Sequence, residues 1–94
     1  MRVIVDEAAW SDLDNIGLWI AKDNPEAARR ELEKIARVIN QLGRFPGLSR
    51  DGRAKGTRES VVAGTSYIVV FEVWEKPAAV VVTGIVHGAR NRDV

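Results

Sequence analysis

The chain opens on a β-branched run, Arg2-Val3-Ile4-Val5, closed by Asp6-Glu7, a pattern that suits a first or edge strand better than a helix start. The period then changes. Ala9, Leu13, Ile16 and Ile20 recur at helical spacing with Trp10 and Gly17 beside them, while Asp12, Asp14 and Asn15 point elsewhere. This predicts an amphipathic helix that carries Trp10 in its buried stripe and stops near Lys22-Asp23. Asn24-Pro25-Glu26 starts a second helix, because it combines an N-cap, proline at the first helical position and a carboxylate in the first turn. The apolar stripe of that helix is Ala28, Leu32, Ile35, Ile39 and Leu42. Glu26–Arg30 and Glu33–Arg37 are spaced for charge pairs on the wet side, and Gly43 is placed for a left-handed cap.

Two antiparallel helices of this length cannot enclose a core alone, so their stripes need a sheet. Strand signals return at Thr57–Ala63, and Gly64-Thr65 makes a tight turn before Tyr67–Trp74. Glu75-Lys76-Pro77 turns the chain again into a last strand, Ala79–His87, which is apolar on both faces in its first half. Between Phe45 and Gly52 the sequence reads as an ordered loop anchored by Phe45 and Leu48. The expected fold is α+β in the order β-α-α-β-β-β, with an N-terminal strand and a two-helix antiparallel hairpin on one face of a small antiparallel sheet. A chain of 94 residues with 46% hydrophobic content is expected to make one domain, residues 1–94, with no room for a second core.

Composition narrows the chemistry. There is no cysteine and a single histidine, which removes disulfides, thiol catalysis and thiolate metal sites; neither metal nor cofactor is expected. The N-terminal apolar run is too short for a secretory or membrane segment, so a cytoplasmic protein with no membrane partner is expected. Net charge is +1, too small for a dedicated nucleic-acid binder, yet residues 1–43 sum to −2 and residues 44–94 to +3. Positive potential sits in the second half.

Certain residues, taken together, resemble a known family. Asp12-Leu13-Asp14-Asn15-Ile16, Trp19-Ile20-Ala21 and Asn24-Pro25-Glu26-Ala27-Ala28 are similar to the opening of RelE/ParE-type toxins. Pro46-Gly47-Leu48, Gly56-Thr57-Arg58-Glu59, Tyr67-Ile68-Val69-Val70-Phe71 and Val86-His87-Gly88-Ala89-Arg90 resemble the family's later motifs in order and spacing. The resemblance implies the toxin of a type II toxin–antitoxin (plasmid stabilisation) module, neutralised by a cognate antitoxin with a ribbon-helix-helix N-terminus. Its branches imply different targets. A ParE-like member inhibits DNA gyrase by binding, which is the favoured expectation; a RelE-like member enters the ribosome and cuts messenger RNA. A third possibility is an inactive homologue that only binds the antitoxin.

The candidate residues follow from charge and shape. Arg44, Arg50, Arg53, Lys55 and Arg58 fall within fifteen residues, a density that can hold a phosphate or an acidic target surface. Arg53, Lys55, Arg58 and Arg90 are the target-binding candidates. If the chain is RelE-like, its catalytic set is Arg53, Lys55, Arg58, Glu59, His87 and Arg90, with His87 as proton donor near neutrality. Against that set, the tail Asn91-Arg92-Asp93-Val94 lacks an aromatic to stack on a base. Trp19 is expected to be half covered and to contact the antitoxin, whereas Trp10 and Trp74 read first as core residues. A sheet covered on one face leaves the other open, and Val70, Trp74, Val81 and Ile85 are expected to make that face adhesive to an antitoxin segment.

Overall fold

The computed structural model describes residues 1–47 and 49–88. Its elements are β1 (Arg2–Val5), α1 (Glu7–Ala21), α2 (Pro25–Leu42), β2 (Arg50–Asp51), β3 (Arg58–Val61), β4 (Tyr67–Glu75) and β5 (Ala78–His87). Asp6 and Asn24 explain where the helices begin: the Asp6 Oδ1 accepts from the Ala9 N–H at 2.9 Å, and the Asn24 Oδ1 from the Ala27 N–H at 3.1 Å. Gly43 ends α2, but with φ −66° it is right-handed, contrary to the expected cap. Its missing side chain serves proximity instead, since a Cβ there would lie 2.8 Å from Val3 Cγ2 and 2.9 Å from the Met1 carbonyl oxygen. On the wet side of α2 the charge pairing also differs from expectation. Arg29 takes both Glu26 (2.9 Å) and Glu33 (2.7 Å), because it lies between them at the i+3 and i−4 positions.

The sheet has the order β1-β5-β4-β3-β2. Strands β2 to β5 are antiparallel neighbours, and β1 joins the far side of β5 in parallel. The parallel edge departs from the all-antiparallel expectation; such pairing needs a long connection, which the helices and intervening strands supply. The two-residue β2 is a further addition, formed where the sequence read as loop. Both helices lie on one face. Ala9, Ile35, Ile39 and Leu42 pack there against Val62, Val69, Phe71, Val80, Val82 and Ile85. Burial of each large side chain contributes about 1.5–3 kcal/mol, so the helix–sheet layer is the principal source of stability.

Trp10, Trp19, Phe45 and Trp74 lie outside this layer. Trp10 is 57% exposed, because it follows Ala9 by 100° around α1 and falls beyond the edge of the buried stripe. Trp74, 43% exposed, lies on the sheet face away from the helices and donates its Nε1–H to Glu72 Oε1 at 3.0 Å. Phe45 is exposed and anchors nothing in the core. Leu48 lies outside the described residues.

Two local devices shape the half of the sheet that matters below. Val70 pairs with Gly84 and Phe71 with Val82, so Thr83 is an extra residue in β5, a bulge. The extra residue reverses the alternation. Val80, Val82 and Ile85 face the helices, whereas Val81 and Val86 face away. Strand β1 stops at Val5 and leaves the second half of β5 without a neighbour on that side. There Asp12 reaches down from α1, and its Oδ2 accepts from the Ile85 N–H at 2.9 Å. Gly84 permits the approach, as a Cβ there would already touch Asp12 Oδ2 at 3.4 Å. Asp12→Ala is therefore expected to lower stability by about 1–3 kcal/mol, the cost of an abandoned part-buried donor, whereas Asp12→Asn keeps an acceptor oxygen and is expected to avoid most of that loss. Thermal melts of both variants check this; equal losses would show that charge, not the acceptor, is what Asp12 supplies.

Candidate functional site

The cationic loop is organised by one glutamate. Glu59 of β3, whose side chain is 12% exposed, accepts from the Arg50 Nη2 at 3.2 Å and from the Arg53 backbone N–H at 3.2 Å. The turn between β2 and β3 is closed by Gly52 N–H to the Thr57 carbonyl (2.8 Å) and Thr57 Oγ1 to the Ala54 carbonyl (2.6 Å). A side chain at Gly52 would run into Thr57 Oγ1, so glycine is required for the turn to close this tightly. Arg58 faces the other way along β3. It donates Nε–H to Ser49 Oγ at 2.6 Å and Nη2 to the Ser49 carbonyl at 3.1 Å, and reaches Asp51 at 3.4 Å. These bonds tie the loop before β2 to the sheet.

The candidates of this loop thus have different duties. Arg58 and Glu59 make the bonds that shape the loop, and Arg50, a member of the cationic cluster but not of the target-binding candidates, is neutralised by Glu59. The side chains of Arg53 and Lys55 are exposed and take part in no hydrogen bond or ion pair among the described residues. Arg53 borders a cavity of about 190 Å³ on the sheet face turned away from the helices, together with Glu59, Ile68, Val70, Val86 and Gly88. The result is an apolar floor with a cationic rim, a shape suited to an acidic or phosphate-bearing surface that brings one apolar anchor.

His87 lies on the opposite face. It pairs across the sheet with Tyr67, the two rings meeting edge to face at 5.5 Å and 86°. It lines two clefts beneath the helix hairpin, one of about 520 Å³ with Ile20, Ala27, Glu31 and Tyr67, the other of about 440 Å³ with Asp12, Asn15, Trp19 and Tyr67. The sheet stands between this imidazole and the guanidinium of Arg53. The set Arg53, Lys55, Arg58, Glu59 and His87 is therefore not gathered at one point, and Arg90 lies outside the described residues.

The residues expected to meet an antitoxin are also divided. Val70 and Trp74 belong to the face away from the helices, as does Val81, which is buried there. Ile85 is a correction: the bulge at Thr83 turns it into the helix-side core, where it is 5% exposed. Trp19 is 65% exposed, with Lys22 Nζ over its ring at 5.5 Å, and it walls the smaller of the two His87 clefts. Among the described residues no cluster of three or more metal-ligating side chains occurs, and no helix is long and apolar enough to cross a membrane.

Comparison with known proteins places this geometry. The ParE toxin of the type II toxin–antitoxin system parDE is the family whose model matches residues 3–92. Protein Y4kP of Sinorhizobium fredii is 41% identical over 61 residues, which are 65% of this chain and 64% of that protein's length, a little under two thirds of the relative. Among solved structures, a chromosomal ParDE system from P. aeruginosa superposes with TM-score 0.80 at 18% identity, covering 93% of this chain and 95% of that one. The toxin–antitoxin complex RelBE2 from Mycobacterium tuberculosis gives TM-score 0.65 at 22% identity (92% and 95% covered). A YoeB/ParE toxin from Agrobacterium tumefaciens gives 0.63 at 19% (90% and 95%). At such identities the structures establish the shared α+β fold, while the match over residues 3–92 establishes more: this chain belongs to the ParE toxin family of type II toxin–antitoxin systems, within the wider RelE/ParE superfamily.

Proposed function

We propose that this toxin acts by binding DNA gyrase and that a cognate antitoxin, with a ribbon-helix-helix N-terminus, silences it. One observation carries the choice against RNA cleavage. A phosphodiester-cutting site needs its cations and its proton-transferring group within hydrogen-bond reach of the same reacting atoms. Here Arg53 borders a cavity on one face of the sheet and His87 lies on the other, and Glu59, which lines the same cavity as Arg53, is committed to Arg50 and the loop backbone. The arrangement favours a surface that holds a target over a site that turns one over. In this reading Arg53 and Lys55, with Arg90, supply the target contacts, and the antitoxin contacts Trp19 and the face bearing Val70, Trp74 and Val81. The site of action is the cytoplasm, where gyrase works.

Purified chain incubated with gyrase and supercoiled plasmid is expected to raise the level of cleaved DNA after denaturation, and ribosome-bound message in the same preparation is expected to remain whole. Codon-linked cuts in the message with no gain in cleaved plasmid would replace the proposal with ribosome-dependent RNA cleavage. No effect on either, with the antitoxin still bound, would mark an inactive homologue.

A further inference from the structure

The outer edge of β1 has a property that the toxin reading does not use. The Asp6 N–H donates to the Val82 carbonyl at 3.0 Å, and Val5 lies beside Val82. In a parallel ladder of this register the peptide groups of Arg2, Ile4 and Asp6 turn toward β5, and those of Val3 and Val5 turn outward. No hydrogen bond among the described residues uses the outward groups. The opposite edge of the sheet is protected, since β2 has two residues and both, Arg50 and Asp51, are exposed and charged. The bare groups of β1 thus face solvent as a template on which an extended polypeptide can add.

We propose that this edge pairs with the same edge of a second copy of the chain, in antiparallel register centred on Ile4. Arg2-Val3-Ile4-Val5-Asp6 is its own complement in that register. Ile4 faces Ile4 of the second copy, Val3 faces Val5, and Arg2 faces Asp6. The Val3–Val5 pairs fall where both residues present their peptide groups, so each exchanges two N–H···O bonds. Asp6 has φ −75° and ψ 171°, extended geometry that carries the pairing through to Arg2, and its helix-capping bond occupies Oδ1 alone. The two-fold axis runs perpendicular to the sheet, which keeps the helices of both copies on one face. An apolar groove of about 470 Å³ beside β1, walled by Val3, Val5, Leu13, Leu32 and Ile39 with Trp10 at its rim, then abuts its counterpart. That contact gives the exposed Trp10 indole a place to be buried and adds the apolar area that a short edge lacks, toward the roughly 800 Å² per partner of a stable interface. The product is a continuous sheet through two copies.

Sedimentation of the full chain over a concentration series is expected to show a species of twice the 10.4 kDa monomer. Val5→Pro removes an outward N–H and none of the bonds to β5, so it is expected to leave the circular dichroism spectrum intact and the chain monomeric. Arg2→Asp sets like charges opposite Asp6 at both ends of the pairing and is expected to raise the dimer dissociation constant about tenfold, an effect that added salt reduces. If Val5→Pro fails to fold, Arg2→Asp decides alone. A wild-type chain that stays monomeric at every concentration, or a Val5→Pro chain that dimerises like wild type, overturns the proposal. Monomeric wild type combined with loss of antitoxin binding in Val5→Pro would assign the edge to the antitoxin and overturn it equally. None of these results depends on whether gyrase is the target.

Discussion

Arg53→Glu is expected to abolish growth inhibition on induced expression, while His87→Ala is expected to leave it close to wild type. Arg53 borders the cavity on the open sheet face with an exposed guanidinium, and the bond that holds its loop runs through its backbone N–H to Glu59. Its side chain can therefore change without loss of the turn. Removal of one partner from a charged contact at an interface costs about 2–5 kcal/mol, which is roughly 30-fold to several-thousand-fold in affinity, and reversal of the charge adds repulsion. His87 contributes packing against Tyr67 beneath the helices, away from that face. A third variant separates binding from folding. Arg58→Ala breaks the bonds to Ser49 and Asp51 and is expected to lower the melting temperature together with toxicity, whereas Arg53→Glu lowers toxicity alone. Growth curves with thermal melts read all three. A stable His87→Ala chain without toxicity, beside a toxic Arg53→Glu, would return the imidazole to a catalytic role.

How much of this was legible in the residues depended on the range of the interactions involved. The helices were written in local signals: the Asn24-Pro25 start and the four-residue apolar recurrence of α2 needed no distant partner, and Ala28, Ile35, Ile39 and Leu42 are buried as that period requires. The β3–β4 hairpin was equally local, because Gly64 adopts φ +79° in its turn. The bulge was not. Thr83 carries no sequence mark of an unpaired residue, and without it every position after Val82 is assigned to the wrong face, which is how Ile85 was placed on the open side. The parallel partnership of β1 with β5 was likewise invisible, since it joins opposite ends of the chain. In the candidate site, the run of arginines was plain but their duties were not. Glu59 and Ser49 decide which cations are engaged, and both choices depend on strand register. Asp12 looked like a solvated residue of α1 until β1 proved too short to cover β5.

The largest effect on stability is expected from Phe71→Ala. Phe71 is 0% exposed and stands in β4 opposite Val82 on one side and Arg58 on the other, directly after the position where the β4–β5 register shifts. It fills the layer between sheet and helices among fully buried neighbours on both sides, so little can move in to fill a void. Phenylalanine truncations of this kind cost about 3–5 kcal/mol, and a domain of this size holds only about 5–15 kcal/mol in total. The melting temperature should fall by roughly 15 °C or more. The site would feel the change too, because Val70 of the cationic cavity is the adjacent residue on the reverse face. Val73→Ala is the contrast: the same strand and the same face two residues on, but beyond the helix cover and exposed, with an expected cost within about 1 kcal/mol. Urea titrations with an unchanged slope give both values. A Phe71→Ala cost as small as that of Val73→Ala would mean that the helices do not press on the sheet at β4. The separation of Arg53 from His87 by a packed layer would then lose its physical basis.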